Sequence, residues 1–300
     1  MKVNEDILKA KQKIIRAIDA YGFSPDHNYF NYLYSQTAGK KCVFFDFGKS
    51  RGIVAFYSKG KRIWRVINGV FAPEGERFGI FSDFLGRAFK QDPSTRVFAE
   101  FDEDFKSIVF KKLKASYKLN SNYCMHWPIY NLTKLDEKLK GKKWKKLRNV
   151  NNRYCKSFKI QSKDAKKVNK EVLKGVLNKW VKKRFPRDRA NYHYYLNLIK
   201  NNFEGLEISR ALSFNGEIFS FSGGWMVPNS SVFYCGVGIF NYGHKDLGDF
   251  VNLDDLLYLK KLGYRSVDLG GSEESLFHFK KKFDPEKVYK TYVFSISAKK

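Results

Sequence analysis

The sequence has few acidic residues for its length and no long apolar run. Only 30 Asp and Glu stand against 57 Lys and Arg, which leaves a formal net charge of +27. No stretch approaches the ~20 consecutive apolar residues that cross a bilayer, so we expect no transmembrane segment. The first 22 residues have the pattern of an amphipathic helix rather than of a signal peptide. We therefore expect a cytoplasmic protein, free or peripheral at the inner membrane surface.

Motifs of several common protein classes are also missing. None of the four cysteines stands close enough to another to form a CxxC pair, which argues against a zinc knuckle or a redox motif. The five histidines show no ligand spacing, and His126 beside Trp127 is expected to be packed rather than catalytic. There is no P-loop, GxSxG, HExxH or dinucleotide GxGxxG motif. We therefore expect neither a metal nor a cofactor.

What is present is a repeated order of strands and helices. The second half predicts ββ-β-α-β-α-β, with a hairpin turning at Asn215-Gly216, a strong two-residue turn signal. The first half repeats this order about 165–170 residues earlier, as a duplicated domain would. The sequence therefore predicts an α/β fold (α+β, with mixed sheets) of two domains, over residues 1–131 and 188–300.

The segment between the two halves concentrates the positive charge. Residues 134–187 contain 21 Lys or Arg against four Asp or Glu, so they carry 17 of the 27 net charges. We interpret residues 132–187 as a basic helical connector, with helices at about 135–154 and 164–184 around a short strand. Its ridge GKKWKKLRNVNNRY favours a polyanion, because Lys145 and Lys146 can neutralise phosphates and Arg148 and Arg153 can bind them in bidentate fashion. The ordinary alternative is a solvated helix face.

Two segments of the second half are candidates for chemistry. In VDLGGSEESLFHFKKKFDP, Asp268 ends a short apolar strand, Ser272 can cap the next helix, and Lys280 lies near its end. Ligands of open α/β sheets bind beyond the carboxyl ends of strands, so a cleft is predicted there. The glycine-rich stretch from Phe233 to Phe250, which includes Gly238, offers backbone N–H groups for an anion or a carbonyl oxygen. Asp249 in this stretch is as plausibly a helix cap as a catalytic group.

These features together resemble a known family. The repeated order of elements is similar to tandem acyl-CoA N-acyltransferase (GNAT)-like folds. KLRNVNNR and DLGGSEESLFHFKKKFDP resemble stretches of the phosphatidylglycerol lysyltransferase C-terminal domain family and of the related Fem-type aminoacyl-tRNA-dependent transferases. The resemblance implies aminoacyl transfer from a charged tRNA to a lipid headgroup or a peptide. It implies anion binding by Arg148 and Arg153 and a place in the cleft for Asp268 and Lys280. The membrane-spanning part that lipid-modifying members often carry is absent from this sequence, so the acceptor stays open.

The predicted mechanism is attack of the acceptor on the aminoacyl ester in the second domain. Asp268 would act as base or orient the ammonium, Lys280 would stabilise the tRNA end or the leaving oxygen, and backbone amides near Gly238 would bind the oxyanion. Two alternatives remain at this point. One is an acyl-CoA-dependent N-acetyltransferase, although the usual (Q/R)xxGx(G/A) loop is not evident. The other is a non-catalytic binder of RNA or anionic membranes.

Overall fold

A computed structural model describes residues 1–184 and 191–299 of the chain. In these residues the strands are β1 (Lys2–Asn4), β2 (Lys41–Gly48), β3 (Arg51–Ser58), β4 (Ile63–Ile67), β5 (Val70–Phe71), β6 (Arg96–Phe101), β7 (Tyr117–Asn131), β8 (Ile160–Asp164), β9 (Ile208–Phe214), β10 (Glu217–Met226), β11 (Val232–Phe240), β12 (Ser266–Asp268) and β13 (Lys287–Ala298). The helices are α1 (Lys11–Tyr21), α2 (Tyr29–Tyr34), α3 (Glu74–Gln91), α4 (Glu103–Leu113), α5 (Lys145–Ser157), α6 (Lys170–Arg184), α7 (Tyr192–Lys200), α8 (Leu247–Lys261) and α9 (Glu274–Lys280).

The predicted repeat is confirmed by the order of these elements. The first half runs β2-β3-β4-α3-β6-α4-β7, with the short β5 before α3, and the second half runs β9-β10-β11-α8-β12-α9-β13. In each half the strand that follows the long helix lies parallel to the strand before it, β6 beside β4 and β12 beside β11. The hairpin between β9 and β10 turns at Asn215 and Gly216, both with positive φ, as the sequence predicted.

The two halves share one sheet because each gives its last strand to the other. The strand order through the centre is β6-β13-β7-β12, so β13 lies between the two last strands of the first half. The β13–β7 pairing is antiparallel and runs from Lys287 opposite Ile129 to Ala298 opposite Tyr117. The division into parts 1–131, 132–187 and 188–300 stays a prediction, since the sheet is continuous. Its boundary at residues 187 and 188 lies outside the described residues.

Apolar side chains of the exchanged strands pack into the cores of the halves that receive them. Phe294 of β13 is fully buried in the core of the first half, with Phe81, Phe84 and Phe101. Tyr130 of β7 is buried in a core of the second half, with Leu256 of α8. Burial of one such side chain contributes about 1.5–3 kcal/mol, so the exchange is supported by packing as well as by backbone hydrogen bonds.

Three predicted helices begin later than their sequence pattern indicated. The N-terminal helix starts only at Lys11, because residues 2–4 pair with β2 as an edge strand. The helix predicted from residue 135 begins at Lys145, since the Asp136 carboxylate accepts hydrogen bonds from the amides of Lys138 and Lys140. The helix predicted from residue 164 begins at Lys170. Asp side chains that bind nearby amides in this way compete with helix formation.

A short loop between α1 and α2, residues 22–28, connects the two halves. The Trp225 indole donates to the carbonyl oxygen of Pro25 (3.0 Å), and the Asn229 amide donates to that of Gly22 (2.9 Å). His27 is 1% exposed and its Nδ1 accepts from the amides of Phe23 (3.0 Å) and Ser24 (3.3 Å). With Nδ1 as acceptor, Nε2 carries the proton and donates to the carbonyl oxygen of Asn68 (3.0 Å). This 22–28 loop is therefore held by both halves at once.

The buried imidazole predicts acid sensitivity. Burial lowers the pKa of His27 to about 3, so the folded protein must keep it neutral where the unfolded chain, with an ordinary pKa of about 6.5, takes up a proton. Stability from this group is complete above pH 6.5 and is lost as the pH falls. We expect proton uptake by this histidine in the unfolded chain to lower the free energy of unfolding by about 2 kcal/mol between pH 7 and pH 5.

Urea unfolding of the wild type and of His27→Gln at both pH values measures this difference. Between pH 7 and pH 5, the free energy of unfolding of the variant is expected to fall by about 2 kcal/mol less than that of the wild type. His193→Gln, at an exposed position, is the matched control. Equal pH dependence in the wild type and His27→Gln would contradict the assignment.

Candidate active site

A tight turn follows β12 and positions Asp268. This residue is 1% exposed, and its Oδ1 accepts from the amide of Gly270 (2.6 Å). Its Oδ2 accepts from the hydroxyl of Tyr289 on β13 (2.9 Å). Gly270 has a φ of +89°, which favours glycine, and a Cβ at Gly271 would lie 2.6 Å from the Trp127 ring. The two glycines are thus required by the turn that holds the carboxylate.

Lys280 reaches the same turn from the end of α9. It is 8% exposed, and its Nζ donates to the carbonyl oxygens of Leu269 (2.6 Å) and Gly270 (2.8 Å). Burial lowers the pKa of Lys280 to about 8 and raises the pKa of Asp268 to about 6. The structure therefore brings Asp268 and Lys280 together around Gly270, joined through the backbone of the turn.

Ser272 and Gly238 lie in places that the sequence did not indicate. Ser272 is buried and exchanges two backbone hydrogen bonds with His126. It does not cap the following helix, whose N-cap is Glu273. Gly238 lies on β11 opposite Ser222, four residues from Tyr234, which pairs with Asp268. Four residues of strand span about 13 Å, so Gly238 is separated from the turn, and its role toward an oxyanion stays a prediction.

Two further carboxylates, Asp26 and Glu100, belong to this site and were not found from the sequence, since the charges of Glu100 and Asp268 both act on Asp26. Glu100 lies on β6 and its Oε1 accepts from the Thr291 hydroxyl (2.5 Å), which in turn accepts from the Trp127 indole (2.8 Å). Asp26 lies in the 22–28 loop. We call this site the acidic cleft and define it by six residues, Asp26, Glu100, Trp127, Tyr234, Asp268 and Tyr289.

Aromatic rings form the walls of the acidic cleft. Tyr289 stacks on Trp127 with ring centroids 5.7 Å apart and an interplanar angle of 11°, and Tyr234 lies 6.5 Å from Trp127. Burial, together with the charges of Glu100 and Asp268, raises the pKa of Asp26 to about 8. Burial also raises the pKa of Glu100. Negative charge enclosed by π faces suits an alkylammonium ion.

A basic cavity of about 500 Å³ lies along the first turns of α5. This helix begins without an acidic residue in its first turn, so its positive dipole end adds to the charge of the side chains. Arg153 donates to the Asp246 carboxylate (3.0 Å) and to the carbonyl oxygen of Lys245 (2.9 Å). The cavity is lined by Lys142, Lys143, Lys145, Lys146, Asn149, Val150, Arg153 and Asp246.

The structure therefore gathers most of the predicted anion-binding residues, with one exception. Lys145, Lys146 and Arg153 line the basic cavity. Arg148 instead donates to the carbonyl oxygens of Leu139 and Gly141 and holds the turn before α5. A guanidinium used in this way has fewer donors left for a phosphate. Its predicted role as an anion ligand is not supported by these contacts.

The fold and the two sites define a class of protein, a tandem acetyltransferase-type α/β protein with one basic cavity and one acidic cleft. No known sequence family matches the chain, and no curated protein does. Among the residues that the structure describes, every helix is too short or too polar to cross a bilayer.

Solved structures do match it over nearly its full length. A conserved protein of unknown function from Bacteroides thetaiotaomicron has a TM-score of 0.72 at 14% identity, with 99% of this chain and 100% of that chain covered. L-PGS from Bacillus licheniformis has a TM-score of 0.66 at 14% identity, covering 96% and 91%. The C-terminal domain of a putative lysylphosphatidylglycerol synthetase from Agrobacterium fabrum has a TM-score of 0.65 at 17% identity, covering 95% and 91%.

FemX and a tandem GNAT protein from the clavulanic acid biosynthesis pathway share the fold as well, with TM-scores of 0.59 and 0.57 at 11% identity. The predicted fold class is thereby confirmed. The resemblance to the lysyltransferase and Fem-type families is confirmed at the level of the fold.

Removal of one hydroxyl tests the electrostatics of the acidic cleft. In Tyr289→Phe the Asp268 carboxylate loses a hydrogen bond that favours its ionised form. We expect its pKa to rise above the value of about 6 that it has in the wild type. The measurement is a carboxyl ¹³C NMR titration of aspartate-labelled protein, with Tyr292→Phe as control. An unchanged pKa would show that Tyr289 does not bind this carboxylate in solution.

Proposed function

We propose that this protein is an aminoacyl-tRNA-dependent aminoacyltransferase that moves an amino acid to a lipid or peptide acceptor. The observation that carries the proposal is the presence of two oppositely charged sites on one chain, the basic cavity and the acidic cleft. An aminoacyl-tRNA is a polyanion with an ammonium group beside its reactive ester. Its phosphates suit the basic cavity, and its ammonium suits the carboxylates of the acidic cleft. The cytoplasmic location expected from the sequence is part of this proposal.

The turn after β12 supplies groups for the transfer step. Lys280 uses two of its three N–H groups on the carbonyl oxygens of the turn, so one remains for the ribose oxygen that leaves. A lysine with its pKa lowered to about 8 gives up a proton near neutral pH more readily than an exposed one. Asp268, with both oxygens bound, holds Tyr289 and the turn in place.

Coenzyme A fits the helix starts of this protein less well. On this fold a pyrophosphate is held by amides where the long helix of a half begins, and an anion there requires the absence of nearby carboxylates. α3 begins with Glu74 and Glu76 in its first turn. α8 begins beside Asp246 and carries Asp249, which is ion-paired with Lys282 (2.8 Å). The acids at the start of α3 oppose a second anion there, whereas at the start of α8 Asp246 and Asp249 are ion-paired with Arg153 and Lys282 and oppose it less.

Binding without catalysis explains less of the site. A pure RNA or membrane binder needs the basic cavity alone, and it gains nothing from three carboxylates and a lysine taken out of water. Titratable groups with strongly shifted pKa values cluster at catalytic sites. The acidic cleft therefore favours an enzyme.

The role of the basic cavity is tested by charge reversal. A variant with Lys142, Lys143, Lys145 and Lys146 all changed to Glu is expected to weaken tRNA binding by at least roughly 100-fold at low salt, because several phosphate contacts are lost. The control reverses four exposed lysines of the first half, Lys41, Lys49, Lys59 and Lys61. Electrophoretic mobility shifts across a salt series give both affinities. An equal loss of tRNA affinity in the two variants would mean that binding depends only on the net charge of the protein and not on the basic cavity.

The donor is identified by single-turnover transfer. Purified protein is mixed with tRNA charged with radiolabelled amino acids, and phosphatidylglycerol vesicles or a peptidoglycan-type peptide is supplied as acceptor. We expect label to move to one acceptor, and Lys280→Met to slow the step by roughly 10²-fold because a proton donor is lost. A parallel reaction uses radiolabelled acetyl-CoA. Transfer from acetyl-CoA but not from tRNA would replace the proposal with an acetyltransferase.

A further inference from the structure

One carboxylate of the acidic cleft, that of Asp26, comes from outside the two repeated units and has no partner in the part of the chain that the structure describes. Among residues 1–184 and 191–299 it has neither a hydrogen-bond donor nor a cation within ion-pair distance. Asp268 and Glu100, by contrast, each accept at least one hydrogen bond. Among the described residues, Asp26 is therefore the carboxylate of the acidic cleft with both oxygens available to a substrate.

The backbone around Asp26 is held from several sides. Its carbonyl oxygen accepts from the Asn31 side chain (3.2 Å), and its amide donates to the hydroxyl of Ser24 (3.4 Å). On either side, Pro25 is bound by Trp225 of the second half and His27 by Asn68 of the first. A side chain presented by a loop fixed in this way keeps its position when substrate binds, which is what a group in a reaction requires.

A second buried polar group lies beside it. Tyr32 is 3% exposed, its hydroxyl has no hydrogen-bond partner among the described residues, and the charge of Asp26 acts on it. The other groups that titrate and face Asp26 are Glu100 of β6, Asp268 of β12, Tyr194 of α7, Tyr234 of β11 and Tyr289 of β13. All are acids or phenols, so nothing cationic among them holds Asp26 ionised.

We infer that Asp26 is the residue that accepts the proton of the attacking acceptor group, in the reaction proposed above and resting on that proposal. The first half would then supply the base, and the second half, through Lys280, would supply the acid. Burial and its negative neighbours raise the pKa of Asp26 to about 8, which brings it into the range where a carboxylate is an effective base near neutral pH.

The transfer forms one bond to the ester carbonyl carbon and breaks one. The acceptor O–H or N–H gives its proton to an Asp26 oxygen while the acceptor atom bonds to the ester carbonyl carbon. The bond from this carbon to the ribose oxygen breaks, and that oxygen leaves with a proton from Lys280. Asp26 then returns its proton to Lys280 through solvent, so the charges of both residues are restored.

The test is single-turnover transfer from charged tRNA at saturating protein, measured from pH 6 to pH 9. In the wild type we expect the rate to rise toward pH 8 as Asp26 loses its proton, and to fall above pH 8 as Lys280 loses the proton that it donates. Asp26→Asn is expected to be slower by on the order of 10²-fold, without that rise. In Glu100→Gln the midpoint is expected to move to lower pH, because a negative neighbour of Asp26 is gone. Asp26→Glu should restore part of the rate, and Asp19→Asn, at an exposed position of α1, is the control.

Each other outcome decides against the inference. If the wild type transfers an amino acid and Asp26→Asn has the same rate and pH profile, Asp26 is not the base although the proposed function stands. If Asp26→Asn needs more donor for half-saturation but reaches the wild-type maximal rate, the carboxylate binds the ammonium instead. If the wild type transfers nothing from any charged tRNA, the proposed function fails and the role of Asp26 with it. Thermal melts confirm folding of each variant. The Asp26 variants are expected to stay folded, because the Asp26 side chain makes no hydrogen bond within residues 1–184 and 191–299.

Discussion

The exchange of β7 and β13 between the two halves is the constraint on which the rest of this structure depends. Because each half receives its last strand from the other, neither half has a complete sheet alone. The exchange places Tyr289 of β13 against Trp127 of β7 and brings Thr291 of β13 to Glu100 of β6. The acidic cleft is a product of this crossing, since five strands from both halves contribute to it.

Charge is separated over the molecule in a way that suits one kind of substrate. The lysines of the basic cavity are exposed, so their field attracts polyanions without a large desolvation cost. The carboxylates of the acidic cleft are withdrawn from water, where each interaction with a cation is stronger. A donor with a phosphate-rich body and a cationic reactive end is attracted by the first site and oriented by the second.

The two halves share an order of elements but not a chemical role. In the second half, Asp268 is followed by a glycine turn that keeps its carboxylate in the cleft. At the corresponding place in the first half, Asp102 follows β6 directly and caps α4, accepting from the amide of Phe105 (2.7 Å). The first half contributes instead through Glu100 and through the 22–28 loop, which precedes the repeat. The second half thus offers a turn with an acid and a lysine, and the first half offers two carboxylates, of which only Glu100 lies in the repeated unit.

The sequence by itself determined the order of strands and helices, the duplication, the turn at Gly270 and the concentration of lysines before Arg153, because each of these follows from local pattern and composition. The tertiary structure alone decided the strand exchange, since the hydrogen-bonding groups of β7 and β13 are equally complementary to either half. The tertiary structure also decided which carboxylates lie together in the acidic cleft. Asp26 and Glu100 are 74 residues apart in the sequence. Glu100 alternates with buried residues of β6, and this local pattern does not indicate which residues cover the face of the sheet on which Glu100 lies. The contacts of Arg148 could not be predicted for the same reason, because a basic helix pattern does not show which cation binds the turn before the helix.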